Sequence, residues 1–280
     1  MSERGEVTSS VCYRHPKRVS YVLCQRCGRT ICGECQTAGP VGVVCPECMS
    51  QQRASAPRVR STPGWVRTLT HRDAPVVTYG IIALCILVYI AQILPGVGTW
   101  VTQHLQYAGV YSYPIVFQPW RMLTSVFAHY SILHIGLNMY TLFIFGMVLE
   151  PQLGRLRFAA LFLISGFAGS LGVMFLASPL TAVIGASGGI FGLFGALFII
   201  QRRLGFGSTQ ILILIAINLV IGFIPGLGIA WQAHVGGVIA GVIVGLIYVE
   251  TRRESRRKWQ FPLIVAFCLL LVLASLIHVL

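Results

Sequence analysis

The sequence predicts an all-α polytopic membrane protein that is preceded by a small cysteine-rich domain. Of its 280 residues, 55% are hydrophobic and only 10% are charged, whereas soluble domains carry about 25% charged residues. Apolar runs long enough to cross a bilayer follow one another from Pro75 onward. Seven of the nine cysteines lie between residues 12 and 48. The polar, cysteine-rich part and the apolar part are therefore predicted to be separate domains.

The N-terminal cysteines occur in pairs whose two members are separated by two residues. Two tetrahedral zinc ions need eight Cys or His ligands, and four pairs supply that number. The pairs are Cys12 and His15, Cys24 and Cys27, Cys32 and Cys35, and Cys45 and Cys48. We predict a zinc-binding domain at residues 10–50, with two structural ions because four protein ligands close each coordination sphere. Disulfides are the alternative, and a cytoplasmic position for this domain disfavours them.

Residues 51–74 are rich in Ser, Pro, Gly and Arg, and this composition predicts a flexible linker. Seven apolar spans follow, at 75–94, 131–149, 156–177, 185–201, 208–226, 229–249 and 261–280. The first six spans form a predicted core at 75–250. A basic loop and the seventh span make up 251–280.

The basic residues occur in alternate loops between the spans. Loops on one side carry Arg67, Arg72, Arg155, Arg157, Arg202, Arg203, Arg252, Arg253, Arg256, Arg257 and Lys258. The opposite loops carry only Arg121. Because basic residues favour the cytoplasmic side, we expect a multi-pass protein of the cell membrane with a cytoplasmic N-terminus and an extracytoplasmic C-terminus. The same placement accounts for the net charge of +13, so no nucleic-acid partner is expected.

Strongly polar side chains inside the spans are costly in lipid and are therefore functional candidates. His134 and Asn138 share one face of span two, and His129 lies just before that span. Ser187 opens span four, and His234 lies in span six. Any one of these residues alone is adequately explained by helix–helix contact. Together they offer a nucleophile (Ser187), a general base (His234) and donors for an oxyanion, which predicts serine-based acyl transfer.

Span four is predicted to begin inside the membrane. From Ser187 to Gln201 there are about fifteen residues, or roughly 22 Å of helix, which is too short to cross ~30 Å of hydrocarbon. The preceding loop must then enter a water-accessible cavity lined by protein. Gly185 permits the tight turn, and Phe191 is placed to pack against the imidazole of His234. Close approach of spans four and six is predicted from their glycines, at 188, 192, 237, 241 and 245.

These motifs resemble those of the rhomboid intramembrane serine proteases. The segment GASG resembles the nucleophile motif of the family at Ser187, and HVGGVIAG resembles its base motif at His234. HYSILHIGLN resembles the motif of the second core helix, at His129, His134 and Asn138. The resemblance implies a six-helix core and a Ser–His dyad, with no cofactor in catalysis. It further implies an endopeptidase that hydrolyses peptide bonds in or next to transmembrane segments of membrane-protein substrates in the lipid bilayer.

Other features extend this resemblance. Trp120 with Arg121 resembles the motif of the first outer loop, and Glu150 with Gly154 resembles a polar pair at the inner end of the second helix. A seventh span after the six-helix core is similar to the "6+1" layout. Phe191 stands where some members carry tyrosine, which keeps the stacking face but removes a hydroxyl.

The zinc-binding segment resembles the B-box-like module found on some actinobacterial rhomboids. That resemblance implies that cysteine pairs one and three share one ion and pairs two and four share the other, whereas the spacing alone also allows sequential pairing. Neither resemblance identifies what the finger binds, although a protein partner is one candidate. The alternative function is a catalytically silent membrane adaptor that recruits partners through the finger. The intact Ser187 and His234 argue against it.

Overall fold

The computed structural model describes residues 10–39, 42–55, 74–205, 207–224 and 228–279. The first of its two compact units is Met1–Gly64, and its described residues contain little regular structure. Strands β1 (Thr37–Ala38) and β2 (Val43–Val44) pair antiparallel, after a 3-10 turn at Gly33–Cys35, and helix α1 spans Pro46–Ser55. The buried cluster of this unit consists of Ile31 and six cysteines. Cysteines thus occupy the place that aliphatic side chains fill in larger domains.

Helix α1 extends five residues into the segment that the sequence predicts to be a linker. Residues 51–55 read Gln-Gln-Arg-Ala-Ser, and they contain neither Gly nor Pro to end a helix. Gln, Arg and Ala favour helix, so the helix that begins at Pro46 continues through them. The rest of the predicted linker, 56–73, lies outside the described residues, and its flexibility stays a prediction.

The second unit, Trp65–Leu280, is helical throughout its described elements. Its helices are α2 (Val76–Ile93), α3 (Gly98–Leu105), α4 (Arg121–Thr124), α5 (Ile132–Leu153), α6 (Arg155–Leu176), α7 (Ser187–Arg203), α8 (Thr209–Gly222), α9 (Trp231–Glu250), α10 (Glu254–Arg257) and α11 (Gln260–Ser275). Short 3-10 turns lie at Gly109–Ser112, Pro114–Val116 and Ser125–Phe127. The predicted all-α membrane fold is confirmed.

Five segments of the described residues are long and apolar enough to cross a membrane: Val76–Ile93, Ile132–Leu153, Arg155–Leu176, Trp231–Glu250 and Glu254–Ser275. The other two predicted spans are shorter helices. Helix α7 has 17 residues, or ~26 Å, and it begins at Ser187 as expected. Helix α8 has only 14 residues, or ~21 Å, although the prediction for this span was 208–226. It ends at Gly222 because glycine disfavours helix and a proline follows three residues later in the sequence.

Helix α7 is enclosed by its neighbours on all sides. Every residue from Gly188 to Leu197 is buried, and α6 and α9 are the helices that pack against it most closely. A helix surrounded in this way needs apolar or small residues all round, and the sequence GGIFGLFGAL supplies them. The two proposed reactive residues, Ser187 and His234, lie at the same end of α7 and α9.

Helices α7 and α9 touch backbone to backbone along a row of glycines. A methyl group at Gly237 would clash with the carbonyl oxygen of Gly188, and one at Gly241 would clash with the next turn of α7. A methyl group at Gly245 would lie 2.9 Å from the Cα atom of Ala196. The close approach predicted from the glycine spacing is confirmed. Such contacts hold membrane helices together through packing, because lipid provides no hydrophobic drive for their association.

The end of α5 remote from His134 is tied to the start of α2. Glu150, which is 2% exposed, accepts hydrogen bonds from the backbone N–H groups of Val77 (2.8 Å) and Thr78 (2.7 Å), and from the Thr78 hydroxyl (2.7 Å). The carboxylate satisfies N–H groups that have no partner inside the helix and complements the helix dipole. Gly154, with φ +83, ends α5 in a conformation that favours glycine, so α6 begins at the next residue.

Candidate active site and metal-binding groups

Ser187 follows a turn that only glycine accommodates. Gly185 has φ +137, which L side chains rarely adopt. A methyl group there would also lie 2.8 Å from the His134 ring. The Gly185 N–H donates to the carbonyl of Ser125 at 2.9 Å. This turn places the half-buried Ser187 at the first position of α7.

An outer loop holds the segment that leads to Ser187. Tyr107 and Val183 exchange two backbone hydrogen bonds, of 3.1 and 2.7 Å, and the Val110 N–H donates to the Pro179 carbonyl at 2.8 Å. The Tyr107 side chain is fully buried. The approach to the serine is thus fixed by residues some seventy positions earlier in the chain.

Arg121 holds that outer loop together from within. Its buried guanidinium donates to the carbonyls of Gln103 and Gln106 and to the side chain of Gln118, and it lies 4.1 Å from the centre of the Tyr111 ring. The one arginine of the otherwise uncharged loops thus has its charge satisfied within its own loop.

The hydrogen bonds of His134 and His129 fix where each ring carries its proton. His134 Nδ1 accepts from the Tyr130 N–H at 3.4 Å, which assigns the ring hydrogen to Nε2. That nitrogen lies at the Gly185 turn and is a donor close to Ser187. His129 Nε2 instead accepts from the Ala186 N–H at 3.5 Å, so His129 supports the turn from behind. The two histidine rings meet edge to face, with centroids 5.0 Å apart.

Asn138 is buried one turn along α5 from His134. Its Nδ2 donates to the His134 carbonyl at 2.9 Å, so one of its two amide hydrogens is used within its own helix. No described residue accepts a hydrogen bond from the second hydrogen of this amide. Asn138 is therefore a weaker candidate donor to the site than His134.

His234 lies in the first turn of α9 and is 7% exposed. Its ring stacks on Phe191, with centroids 3.9 Å apart and an interplanar angle of 9°. Gly188, the residue after Ser187, packs against Ala233, the residue before His234: a methyl group on Gly188 would lie 3.6 Å from the Ala233 carbonyl oxygen. No described residue forms a hydrogen bond with Nδ1 of His234. The structure thus brings the start of α7 against the turn that carries this imidazole.

Two supporting residues were not anticipated from the sequence. The Tyr130 hydroxyl donates to the Ala182 carbonyl at 2.9 Å, and its ring lies beside that of His134. Gln92, near the end of α2, accepts the His129 N–H at 2.9 Å. Two features of the sequence could have indicated these residues. Tyr130 lies inside the HYSILH motif, and Gln92 is an isolated amide in an apolar span.

The eight Cys and His ligands form two groups that interleave along the chain. Cys12, His15, Cys32 and Cys35 make one group, and Cys24, Cys27, Cys45 and Cys48 make the other. Within each group the ligand atoms lie within 4.8 Å of one another. All seven N-terminal cysteines are free thiols rather than disulfides. Pairs one and three therefore lie together, as do pairs two and four.

The spacing of these atoms suits a tetrahedral ion. Ligands at about 2.3 Å from a central ion are separated by about 3.8 Å from one another. The Sγ atoms of Cys27 and Cys45 are 3.8 Å apart, and Nδ1 of His15 lies 3.3 to 3.8 Å from the three sulfurs of its group. Arg29 donates to the Cys27 sulfur at 3.3 Å and lowers the pKa of that thiol. These side chains fit a metal ion at each group.

The part of the chain that carries these elements is similar to known proteins. A family model described as a Rhomboid domain matches residues 116–251. The chain is 37% identical over 154 residues to RHOMBOID-like protein 6, mitochondrial, of Arabidopsis thaliana, which covers 51% of this chain and 47% of that protein. It is 34% identical to Rhomboid protease GluP of Bacillus subtilis (strain 168), covering 60% and 34% of the two chains, and 34% identical to Putative rhomboid protease YdcA of the same strain, covering 49% and 70%. The chain spans about half or less of the length of most of the plant relatives that it matches.

Proposed function

The chain belongs to the rhomboid family, and from this premise we propose that it is an intramembrane serine endopeptidase. Its substrates are membrane proteins, cleaved in or next to their transmembrane segments. The observation that carries the proposal is the packing of Gly188 against Ala233, which holds the start of α7 beside the turn of α9 that carries His234. A hydroxyl and an imidazole supported on two rigid helices suit nucleophilic catalysis.

In the proposed reaction, the Ser187 hydroxyl oxygen attacks the scissile carbonyl carbon while His234 accepts its proton. The imidazolium then gives that proton to the departing amine, and a peptide fragment remains bound to Ser187 as an ester. Water, deprotonated by His234, attacks the ester and releases the second product. The face of Phe191 keeps the imidazole in position, a task that a carboxylate performs in other serine hydrolases.

The oxyanion of the tetrahedral intermediate needs donors that are in place before the reaction. We assign this role to Nε2–H of His134, to the free N–H groups at the start of α7 and to the second amide hydrogen of Asn138. The positive end of the α7 dipole adds to this stabilisation. His129 and Gly185 act by holding the turn.

We assign two zinc ions to the N-terminal domain, one for each group of four ligands. Six thiolates buried in place of an aliphatic core leave the domain dependent on metal for its folding energy. The closed coordination spheres make both ions structural. The chemistry of Ser187 requires neither ion, because the catalytic residues lie in the other compact unit.

We place the protein in the cell membrane with its N-terminus in the cytoplasm. The basic residues at the start of α6, at the end of α7 and after α9 favour that orientation. A reporter that is active only outside the cytoplasm should be active after Leu280 and silent after Glu254. The opposite pattern would place the catalytic end on the cytoplasmic side.

The decisive experiment compares Ser187→Ala and His234→Ala with a matched control, Ser165→Ala. Ser165 is a fully buried serine of α6 whose hydroxyl has no partner among the described residues, so its removal should cost little. The two site variants should lose cleavage of a model transmembrane substrate by a factor of about 10⁴ or more, and they should no longer react with a fluorophosphonate probe. Ser165→Ala should retain both properties. Full turnover by folded Ser187→Ala would exclude the serine mechanism, and a wild-type chain inert in both assays would favour the adaptor function.

A further inference from the structure

A concave site, the arginine pocket, lies at the ends of α7 and α9 remote from Ser187 and His234. It has a volume of about 260 Å³ and is lined by Glu250 and by four arginines, at 203, 252, 253 and 256. Arg203 lies sixteen positions after Ser187 along α7, which corresponds to ~24 Å of helix. The pocket is therefore distinct from the candidate active site, although both are built on the same two helices.

The charges of the arginine pocket are not balanced. Glu250 pairs with Arg203 at 3.0 Å and with Arg256 at 3.7 Å. No salt bridge joins Arg252 or Arg253 to a carboxylate in the described part of the chain. Four arginines thus line the pocket beside a single carboxylate, and the concave surface keeps a net positive charge. An anion bound there would relieve the repulsion among them.

The rest of the pocket wall is apolar. Leu204, which is 42% exposed, and Val249 line it beside the arginines. Nearby, Trp259 is 56% exposed at the start of α11, with the Lys258 ammonium 6.0 Å from the centre of its ring. Trp beside Lys and Arg is typical of the depth at which lipid headgroups lie. The wall therefore suits a ligand with an anionic part and an apolar part.

We propose that the arginine pocket binds the phosphate of an anionic phospholipid. Guanidinium groups match phosphate oxygens with paired N–H donors, and basic pockets between membrane helices suit acidic headgroups. Membrane orientation needs basic residues only on the correct side. It does not require residue 203 and residues 252–256 to converge on one cavity. A bound headgroup would hold together the ends of α7 and α9, whether or not the chain is a protease.

The test uses the full chain in neutral detergent and native mass spectrometry, with phosphatidylglycerol and phosphatidylcholine as probes. The pocket variant is Arg253→Gln with Arg256→Gln. The matched control is Arg257→Gln with Lys258→Gln, which removes the same charge from the same loop but leaves the pocket lining intact. Wild type and control should retain phosphatidylglycerol on the order of tenfold better than phosphatidylcholine, and the pocket variant should lose this preference. A parallel thermal-unfolding series with inorganic phosphate distinguishes a lipid from a soluble anion.

Three results would overturn the proposal. Equal loss of phosphatidylglycerol by the pocket variant and the control would show that net charge, not the pocket, binds the lipid. Equal retention of the two lipids by the wild type would remove the headgroup assignment, and this comparison does not depend on the folding of any variant. Stabilisation of the wild type by millimolar inorganic phosphate as large as that by phosphatidylglycerol would assign the pocket to a soluble phosphate compound.

Discussion

A methyl group added at Gly237 should separate the two helices that carry the proposed nucleophile and base. The new Cβ atom would lie 2.9 Å from the carbonyl carbon of Gly188 and 3.1 Å from its Cα atom, and closer still to the carbonyl oxygen. Ordinary contacts of a Cβ atom begin at 3.4 Å. Backbone atoms cannot rotate aside as a side chain does, so α7 has to move by about 1 Å.

That displacement has different effects on stability and on rate. Overpacking of this kind costs about 1–3 kcal/mol of folding free energy. Because Ser187 immediately precedes Gly188, the shift also moves its hydroxyl relative to His234, and a misplacement of about 1 Å costs on the order of 10²-fold in rate. We expect Gly237→Ala to lower kcat about 10²-fold per folded molecule, with a much smaller change in KM.

Two other glycines provide controls for this substitution. Gly245→Ala creates a milder backbone clash, 2.9 Å from the Cα atom of Ala196, and it lies eight residues or ~12 Å further from the site. It should lose less stability and keep most of its rate. Gly80→Ala adds a methyl group that meets nothing within 4 Å and should lower neither property. Turnover of a fluorogenic transmembrane substrate, divided by the folded fraction from thermal unfolding, measures the effect. Equal rate losses for Gly245→Ala and Gly237→Ala would refute the reasoning.

Four further outcomes are expected from other parts of the structure. His134→Ala should lower kcat about 10²-fold. Asn138→Ala should lower it by less, since one hydrogen of that amide is already used. A larger loss in Asn138→Ala would make Asn138, not His134, the stronger oxyanion donor. Glu150→Ala should lower the free energy of unfolding by about 3 kcal/mol, because donors at the start of α2 lose their buried acceptor. Turnover per folded molecule should not change. Unaltered thermal unfolding of this variant would contradict the expectation. Cys45→Ser should unfold the N-terminal domain and release about two zinc ions per chain, measured by atomic absorption. A chain that begins near residue 67 should still cleave a model substrate with a chelator present, and chelator-sensitive cleavage by it would link zinc to the chemistry.

The features that the sequence predicts well are those encoded by local spacing. The row of glycines at 237, 241 and 245 repeats every four residues, which places it on one face of a helix whatever surrounds it. The early start of α7 at Ser187 likewise follows from counting residues against the thickness of the bilayer. Both features needed no knowledge of the partner helix. They account for the agreement between the predicted and observed packing of the two helices that carry Ser187 and His234.

The features that the sequence does not predict depend on distant partners. Tyr130 contacts Ala182, more than fifty positions away, and nothing in the sequence around either residue indicates the pairing. The arginine pocket arises because the end of α7 meets the loop after α9, whereas each cluster alone indicates only membrane orientation. The end of α8 at Gly222 was predicted too late because hydropathy remains high beyond the point at which helix formation becomes unfavourable.

The order of the helices along the chain has a consequence for synthesis. Helix α7 makes its backbone contacts chiefly with α9, and the proposed base follows the proposed nucleophile by 47 residues. At about 5–20 residues per second, several seconds pass between the appearance of Ser187 and that of His234. During that interval the face of α7 that contacts α9 has no partner, and Ser187 lacks its proposed base. Under the proposed mechanism, a nascent chain is therefore inert beside the other proteins that are being inserted with it until its last core helix brings His234 to Ser187.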